Sequence, residues 1–394
     1  MVETTQIANV QPTRENLSGL AQRPRVVWDM TFTVRTLTGT RVYTHNLLNA
    51  IRALDRFEVR EIYGTREAGP RRRGNFKSNV QNLVWLWAGL ERELKRQQPA
   101  LFHAAAFLGA WRAPCPMLVN VFDTTYLTYP HHFDWKWHFY ARTIMPRSIQ
   151  NAAAILTLSQ HARGEICNAY RVAPERVHIV APGIGAEFQP IQNAEALAAL
   201  RAKYELPRNY LLYVGGTPPR KNLPTLIAAF ARARRQREDL MLVLAGARML
   251  TDAPVERAIA DCGVAPYVIR LGYVPQTDLP LLYGGAQAFV YASMLEGFGI
   301  PPVEAMACGT PVISVPNPPM PEVLGDAAWF TENDSPEALG AGIVHVVSDD
   351  ALQNTLRQCG IERARLYSWD ASARKTIALY ENVLAYAPRA DSTL

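Results

Sequence analysis

The sequence predicts an α/β protein that consists of two Rossmann-like domains. Its 394 residues, of which 48% are hydrophobic and 19% charged, are too many for one compact core and too apolar for a disordered chain. Short β-type runs alternate with helical stretches along nearly the whole chain, which is typical of parallel sheets covered by helices. Residues 186–193, which contain Pro190, interrupt this alternation and separate the two halves.

The first predicted domain covers residues 24–188 and follows a flexible tail at residues 1–23. The tail mixes charged and polar residues and lacks the apolar core of a secretory signal. A helix is expected at residues 40–53, after a loop that contains Gly39. The predicted strands of this domain lie at residues 26–29, 59–63, 100–103, 118–122 and 154–158.

The second predicted domain covers residues 205–370 and is joined to the first by a linker at residues 189–204. Its predicted strands lie at residues 211–214, 241–245, 268–271, 288–291 and 311–315, and helices are expected at residues 335–347, 351–367 and 371–385. Five strands separated by helices make a complete domain. The segment 371–388 is therefore free to cross back to the first domain as a helix.

Composition indicates a cytoplasmic protein. No apolar run approaches the roughly 20 residues that a helix needs to span a bilayer. The five cysteines are an odd number without close pairing, which suits neither a disulfide framework nor a zinc site. A reducing compartment fits this pattern best.

Charge is distributed unevenly along the chain. Residues 1–190 carry a net charge of +9 and residues 191–394 a net charge of −3, within a total of +6. The basic half could contact an anionic membrane surface or a phosphate-bearing acceptor. Alternatively, Arg71, Arg72, Arg73 and Lys77 simply solvate a loop. Nucleic acid is not an expected partner, because no aromatic stacking residues are interleaved with the basic ones.

A loop after the strand at 211–214 has the composition of a phosphate site. Gly215 and Gly216 allow the backbone to approach a ligand closely, and Arg220 with Lys221 brings two positive charges to a place suited to a diphosphate. Ligands of open α/β sheets bind at the carboxyl ends of the strands, where this loop lies. By itself the pattern equally fits a plain connection between a strand and a helix.

A second loop joins the strand at 288–291 to a helix that Pro301 and Pro302 are placed to start. The amides of Phe298, Gly299 and Ile300 should then lie at the positive end of that helix, where a phosphate is favoured.

Two carboxylates flank this loop. Glu304 is expected in the first helical turn, where it can accept hydrogen bonds from ribose hydroxyls, and Glu296 can do the same for a second ring. Alternatively, Glu304 is a partner of the helix dipole and Glu296 an exposed loop residue. That alternative leaves the intervening glycines and prolines unexplained.

These loops resemble those of glycosyltransferase family 4. The Glu-x7-Glu pattern of that family is matched by Glu296, Gly297, Phe298, Gly299, Pro302 and Glu304, followed by Gly309, Thr310, Pro311 and Val312. Its donor-phosphate loop is resembled by Gly215, Gly216, Arg220, Lys221 and Asn222. The likeness covers most of residues 151–330, whereas residues 24–150 match only loosely.

The resemblance implies a GT-B architecture, in which the two domains face each other across a cleft and the second holds a nucleotide diphosphate sugar. It implies that Arg220 and Lys221 neutralise the diphosphate and that Glu304 holds the ribose. Contacts to the transferred sugar are implied for Glu296, Phe298 and Gly299. Gly297 and Ile300 belong to the implied donor-binding residues, and Glu296, Arg220 and Lys221 form the catalytic set. The implied reaction retains the anomeric configuration and uses neither a metal nor another cofactor, because charged groups and helix amides stabilise the leaving diphosphate.

Acceptor-binding residues are expected in the first domain. Gly39 matches a glycine of the family, although the residues after it depart from the common pattern. His103 and Asp123 each follow a strand and could face the acceptor. A histidine satisfied inside a strand end and an aspartate that caps a turn are the alternatives. A cluster nearby contains His131, His132, Trp135, Trp137 and His138, which could stack on a sugar or pack against a neighbouring surface.

The predicted function is transfer of a hexose, mannose or glucose, to a saccharide or lipid-linked acceptor in cell-surface polysaccharide synthesis. A nicotinamide-dependent oxidoreductase is disfavoured because no strand is followed by Gly-x-Gly-x-x-Gly. A non-catalytic nucleotide-sugar-binding protein and a nucleotide-sugar epimerase on the same fold are the open alternatives.

Overall fold

The computed structural model describes residues 23–33, 39–64, 84–133, 135–246 and 252–386, which form two parallel sheets, one in each half of the chain. The predicted α/β fold with two Rossmann-like domains is confirmed. Residues 71–73 and 77, which form the basic run, lie outside the described residues, as do residues 1–22 of the predicted tail and residues 387–388 of the last segment.

The first sheet has the strand order β2-β1-β3-β4-β5-β6. Its strands are β1 (Arg25–Asp29), β2 (Glu58–Ile62), β3 (Leu101–Ala104), β4 (Met117–Asn120), β5 (Ala154–Thr157) and β6 (Val177–Ile179). The helices of this half are α1 (Gly39–Ala53), α2 (Leu90–Gln97), α3 (Thr125–Thr128), α4 (Trp135–Phe139), α5 (Met145–Asn151) and α6 (Gln160–Tyr170). Single π-helical turns at Trp85–Gly89 and Tyr140–Ile144 lead into α2 and α5.

The second sheet has the strand order β12-β11-β10-β7-β8-β9. Its strands are β7 (Tyr210–Val214), β8 (Met241–Ala245), β9 (Val268–Gly272), β10 (Ala288–Tyr291), β11 (Val312–Ser314) and β12 (Trp329–Phe330). The helices are α7 (Ala194–Tyr204), α8 (Leu223–Arg234), α9 (Ala253–Asp261), α10 (Leu279–Gly284), α11 (Ile300–Ala307), α12 (Met320–Leu324), α13 (Pro336–Ser348), α14 (Asp350–Ala364) and α15 (Trp369–Tyr386).

The structure differs from the expected elements in three places. Strands β6 and β12 were not predicted, because runs of three and two residues are too short to show a β-type pattern. The predicted linker at 189–204 contains helix α7. The side chain of Asn193 caps that helix by accepting hydrogen bonds from the amides of Glu195 and Ala196, and the side chain of Leu200 is buried.

Helix α15 returns to the first domain and packs against α1. The hydroxyl of Tyr380 lies 2.5 Å from His103 Nδ1 inside the first domain, and Arg56 pairs with Glu381 at 2.9 Å on the surface. The segment that leaves the first domain, at Gly183, meets the segment that returns to it, at Trp369. A Cβ on Gly183 would lie 2.1 Å from the backbone nitrogen of Trp369, so the two segments pack backbone to backbone.

The central strands of both sheets are buried on both faces, as parallel sheets between helices require. Among the described residues, no helix combines the length and the apolar composition that crossing a bilayer requires.

Candidate active site

The loops after three strands of the second domain are tied together at the carboxyl edge of the sheet. Gly215 N donates to Ala245 O at 2.9 Å, and Gly246 N donates to Gly272 O at 2.7 Å. A Cβ on Gly246, whose φ is +142°, would lie 1.9 Å from the carbonyl oxygen of Gly215. Glycine is therefore required where the loops after β7 and β8 meet.

The β7 loop ends in a single 3₁₀ turn, Pro219–Lys221, which places two cations side by side. The Arg220 carbonyl accepts a hydrogen bond of 2.8 Å from Met294 N, and Lys221 Nζ donates to the Tyr291 hydroxyl at 2.8 Å. Met294 lies in the loop after β10, and Tyr291 is the last residue of that strand. These two hydrogen bonds hold Arg220 and Lys221 against the segment that contains Glu296.

Glu296 forms an ion pair with each of these cations. Arg220 Nη1 donates to Glu296 Oε2 at 2.6 Å, and Lys221 Nζ lies 2.6 Å from Glu296 Oε1. Burial by itself would raise the pKa of Glu296, but the two cations outweigh it and lower the pKa to about 2. The structure therefore brings the three predicted catalytic residues together, with a carboxylate where the two positive charges converge.

The same ion pairs act on the cations. The negative charge of Glu296 raises the pKa of the Arg220 guanidinium, whereas burial lowers the pKa of the Lys221 ammonium despite its pairing. The Arg220 side chain keeps 26% of its surface exposed, and that of Lys221 keeps 11%. A ligand can therefore reach Arg220 more readily than Lys221.

Helix α11 begins at Ile300, as its prolines predict. Gly299 precedes it with φ +90°, a conformation that favours glycine, and Pro301 lies in the first turn. The unpaired amides of this first turn lie on the same loop as Glu296, so a phosphate near the cations also meets the positive end of a helix.

Phe298 differs from the expected sugar contact. Its ring is buried and packs edge-on against Tyr367 with a centroid distance of 5.0 Å. The backbone amide of Phe298, rather than its side chain, is the group that can face a ligand.

Glu304 lies in the second turn of α11 rather than in the first, because the helix begins at Ile300. Its carboxylate is buried and accepts a hydrogen bond of 2.8 Å from the Tyr283 hydroxyl. Burial raises the pKa of Glu304 to about 7. Glu296 and Glu304 share no hydrogen-bond partner among the described residues, so they are two separate acidic positions.

The first domain contacts the Glu296 loop directly. Ser159 Oγ donates to Gly297 O at 2.8 Å, and a Cβ on Gly297 would lie 2.3 Å from Phe122 O. The carboxylate of Glu322 accepts hydrogen bonds from the amides of Gln160 and His161 at the start of α6, at 2.6 and 3.0 Å. The cleft between the domains is thus bounded on one side by Gly297.

Asp123 follows Phe122 at this boundary. Its Oδ1 accepts a hydrogen bond of 3.0 Å from Thr125 N, so the residue caps the turn that leads into α3, as the alternative interpretation held. Its charge also reaches across the cleft, where it contributes to raising the pKa of Arg220. Asp123 is therefore the predicted acceptor residue whose charge acts on the cation pair.

His103 lies inside the first domain instead. Its side chain has no exposed surface, its Nε2 lies 2.8 Å from Asn120 Oδ1, and its ring is 3.9 Å from that of Trp28. Burial lowers the pKa of His103 to about 4, so the imidazole is neutral. An acceptor has no access to either nitrogen in this conformation, in agreement with the alternative of a satisfied histidine.

Gly39 is exposed and is the first residue of α1. Apart from its chain neighbours and the backbone of α1, no atom of the described residues lies within 4 Å of where its Cβ would be. The space beside Gly39 can accommodate a ligand, but none of the described contacts joins it to the cation pair.

His132 belongs to the first domain. The sequence placed it in the aromatic cluster but did not distinguish it from the other members. Its ring stacks on Tyr129 with a centroid distance of 5.5 Å, and its Nδ1 is buried without a hydrogen-bond partner in the part of the chain that the structure describes. Burial lowers the pKa of His132, and repulsion by the neighbouring His131 and by Arg220 adds to the effect. Arg220 of the second domain is thus close enough to His132 to disfavour its protonated form.

No group of three or more His, Cys, Asp or Glu residues within the described ranges could hold a metal ion. Metal independence stays a prediction. The arrangement presents two cations and the amides of a helix start to an anion in the cleft, with the Glu296 carboxylate as the present partner of both cations.

The fold and this site define a GT-B glycosyltransferase. Sucrose-phosphate synthase from Thermosynechococcus elongatus has a similar structure, with a TM-score of 0.76 and 18% identity over 93% of this chain and 100% of that one. Anabaena HepE in complex with UDP and glucose has a TM-score of 0.71 and 17% identity over 91% of this chain and 100% of that one. At these identities the likeness shows the fold.

The chain belongs to glycosyltransferase family 4. Residues 37–188 match the family model "Glycosyltransferase Family 4", and residues 198–363 match "Glycosyl transferases group 1". O-antigen chain mannosyltransferase B of Escherichia coli is 32% identical over 261 residues, which are 66% of this chain and 68% of that protein. Serotype-specific mannosyltransferase WbdA of the same species is 28% identical over 62% of this chain but only 30% of its own length.

Proposed function

We propose that this glycosyltransferase moves a hexose from a nucleotide diphosphate sugar to a saccharide or lipid-linked acceptor in the cytoplasm, with retention of the anomeric configuration. Mannose is the favoured sugar and glucose the second candidate. The names of the similar Escherichia coli mannosyltransferases support mannose and a role in cell-surface polysaccharide synthesis. The complex of HepE with UDP and glucose supports a nucleotide sugar as donor.

The observation that carries this proposal is the convergence of Arg220, Lys221 and Glu296 beside the amino end of α11. In the structure the Glu296 carboxylate pairs with both cations. A donor diphosphate would replace the carboxylate there, which frees Glu296 to accept hydrogen bonds from hydroxyls of the transferred sugar. The diphosphate then supplies the negative charge that the two buried cations need.

The reaction that this arrangement favours breaks the bond between the sugar C1 and the oxygen of the β-phosphate. The acceptor oxygen bonds to C1 on the same face, and its proton passes to the departing phosphate oxygen. Arg220, Lys221 and the helix amides stabilise the negative charge that grows on the diphosphate. Their contribution is electrostatic, so no protein nucleophile is needed.

The remaining donor contacts are assigned by position. Gly215, Gly216, Gly299 and the amides of Phe298 and Ile300 approach the phosphates, and Gly297 lies beside the sugar. Glu304 accepts hydrogen bonds from the ribose, and Tyr283 orients its carboxylate. On the acceptor side Asp123 and Gly39 remain candidates, whereas the burial of His103 does not favour it.

The proposal is tested by incubating the purified chain with GDP-mannose, UDP-glucose, GDP-glucose or UDP-mannose. Each donor is tested with and without saccharide acceptors, and a chelator is present throughout. The expected result is acceptor-dependent release of nucleoside diphosphate, with NMR showing that the product has the anomeric configuration of the donor. A protein that only binds nucleotide sugars would release no diphosphate. An epimerase would change the donor sugar without acceptor, and an inverted product would contradict retention.

A further inference from the structure

The amino-terminal end of helix α6 in the first domain is capped by residues of both domains. The Ser159 side chain accepts a hydrogen bond of 3.1 Å from Ala162 N, as the residue before a helix commonly does. The amides of Gln160 and His161 donate instead to the carboxylate of Glu322, at 2.6 and 3.0 Å. Glu322 belongs to the second domain, so the cap of α6 is complete only while the two domains are in contact.

The segment that carries the capping carboxylate also contacts the loop after β10. Glu296 N donates to Pro318 O at 3.4 Å, and Asn317 Nδ2 donates to Ser293 O at 3.3 Å. The segment then enters the short helix α12, in which Glu322 lies. A few residues therefore connect the loop of the ion-paired Glu296 with the start of α6.

The backbone around Glu322 is anchored inside the second domain. Arg363 donates through Nη2 to Glu322 O at 2.5 Å and through Nε to Val323 O at 2.9 Å. The Tyr367 hydroxyl donates to the same Val323 oxygen at 2.7 Å, and the Tyr367 ring packs against Phe298. The capping carboxylate therefore moves together with the loop after β10, and it loses the amides of α6 when the domains separate.

Two kinds of contact cross the cleft at the start of α6. The Ser159 hydroxyl donates to Gly297 O at 2.8 Å, next to Glu296. The Glu322 carboxylate adds two charge-assisted hydrogen bonds at the positive end of the helix dipole, which are stronger than bonds between neutral groups. Loss of the carboxylate should therefore shift the equilibrium between the closed and the open cleft towards the open state.

We propose that Glu322 is a positioning residue, which holds the cleft closed by completing the cap of α6. It keeps the Glu296 loop at a fixed distance from the first domain and need not touch a substrate. The inference rests on the proposed transfer reaction, because closure matters there for bringing donor and acceptor together. The assigned donor contacts all lie in the second domain, so Glu322 should act on turnover and not on nucleotide affinity.

The kinetic test compares Glu322→Ala and Glu322→Gln with the unchanged chain. Glu322→Ala should lower kcat about tenfold, while the affinity for a nucleoside diphosphate, measured by calorimetric titration, changes less than about twofold. Glutamine keeps one acceptor oxygen for the amides of α6, so Glu322→Gln should lower kcat only about threefold. A residue that merely stabilises the fold would not separate turnover from nucleotide affinity in this way.

Hydrogen exchange of single amides tests the contact itself, in the full chain without donor or acceptor. The amides of Gln160 and His161 should exchange about tenfold faster in Glu322→Ala than in the unchanged chain. The amide of Ala162 keeps its Ser159 partner and should exchange at the same rate in both proteins. Since no substrate is present, failure of the proposed transfer reaction would leave this result unaltered.

Asp349→Ala is the matched control. The Asp349 side chain accepts a hydrogen bond of 2.9 Å from Leu352 N and so caps α14 within the second domain. Its loss should lower the thermal stability as the loss of Glu322 does, but it should leave kcat unchanged.

Three outcomes would overturn the proposal. One is exchange of the Gln160 and His161 amides that is as fast in the unchanged chain as in Glu322→Ala, which would mean that the contact across the cleft is not made. Another is an unchanged kcat in Glu322→Ala. The third is an equal loss of kcat in Asp349→Ala, which would mean that the loss of any helix cap has this effect.

Discussion

Glu296 Oε2 accepts a hydrogen bond of 2.6 Å from Arg220 Nη1, although the two residues are 76 positions apart in the chain. The carboxylate also pairs with Lys221, so it occupies the convergence point of both cations. An anionic ligand therefore competes with the Glu296 carboxylate for Arg220 and Lys221. Several consequences of this competition and of the surrounding geometry can be measured.

Glu296→Gln should increase the affinity for a nucleoside diphosphate and decrease sugar transfer. The neutral amide no longer competes for Arg220 and Lys221, so binding should tighten roughly tenfold, about 1.4 kcal/mol. Calorimetric titration measures the affinity and diphosphate release measures the transfer. Glu337→Gln, which removes the exposed partner of Arg232, is the control and should change neither. Weaker diphosphate binding by Glu296→Gln would contradict the competition.

Gly297→Ala should abolish transfer and leave the affinity for the nucleotide largely intact. The added Cβ would lie 2.3 Å from Phe122 O, so the two domains must move apart at the cleft. Misplacing the acceptor side by about 1 Å is expected to lower kcat on the order of a hundredfold. Gly164→Ala, at an exposed position with no atom within 4 Å of the new Cβ, is the control. Normal kcat in Gly297→Ala would show that the contact is not needed for turnover.

His132→Ala should lower kcat at least about tenfold and change the acidic limb of the pH-rate profile. The charge of Arg220 disfavours the protonated form of His132, and the buried Nδ1 of His132, which has no partner among the described residues, is left for a hydrogen bond with a substrate. The matched variant is His131→Ala, because His131 is the exposed neighbour. Equal kcat values and pH profiles for the two variants would remove His132 from the site.

Glu304→Gln should reduce the change of stability with pH. The pKa of Glu304 is raised from 4.5 to about 7, so between these values the folded chain holds a proton that the unfolded chain releases. Its contribution to the free energy of unfolding is therefore present below pH 4.5 and is lost as the pH rises through 7. The glutamine variant should lack this loss, which is on the order of 2 kcal/mol between pH 5 and 8. Urea unfolding at both pH values measures it, and identical pH dependence in the two proteins would contradict the assignment.

The fold was predictable because its main strands are continuous apolar runs that alternate with helical stretches. The sequence also placed Arg220, Lys221 and Glu296 at the carboxyl edge of one sheet, since each follows a strand. Their pairing was not predictable, because it depends on the angle at which two loops meet. The helix start at Ile300 followed from the prolines, but the position of Glu304 within the helix was predicted one turn too early.

Residues whose partners lie far away in the chain were harder to interpret. His103 was expected just after a strand, as a ligand-binding residue would be, but it lies inside β3, and Tyr380, 277 positions later, covers its Nδ1. Phe298 lies in the middle of the Glu-x7-Glu pattern, and only the position of Tyr367 shows that its ring is buried. His132 belonged to an aromatic cluster whose packing could be read in several ways. Tertiary contacts alone distinguish a buried side chain from one that faces a ligand.

The most direct test of the diphosphate site compares the affinities of a nucleoside diphosphate and the matching monophosphate for the unchanged chain and for Lys221→Met. The unchanged chain should prefer the diphosphate by at least about tenfold, because the second phosphate reaches Arg220 and Lys221. Lys221→Met should lose most of that preference while it keeps its affinity for the monophosphate. Equal affinity of the unchanged chain for both nucleotides, or an undiminished preference in Lys221→Met, would contradict a diphosphate site at this cation pair.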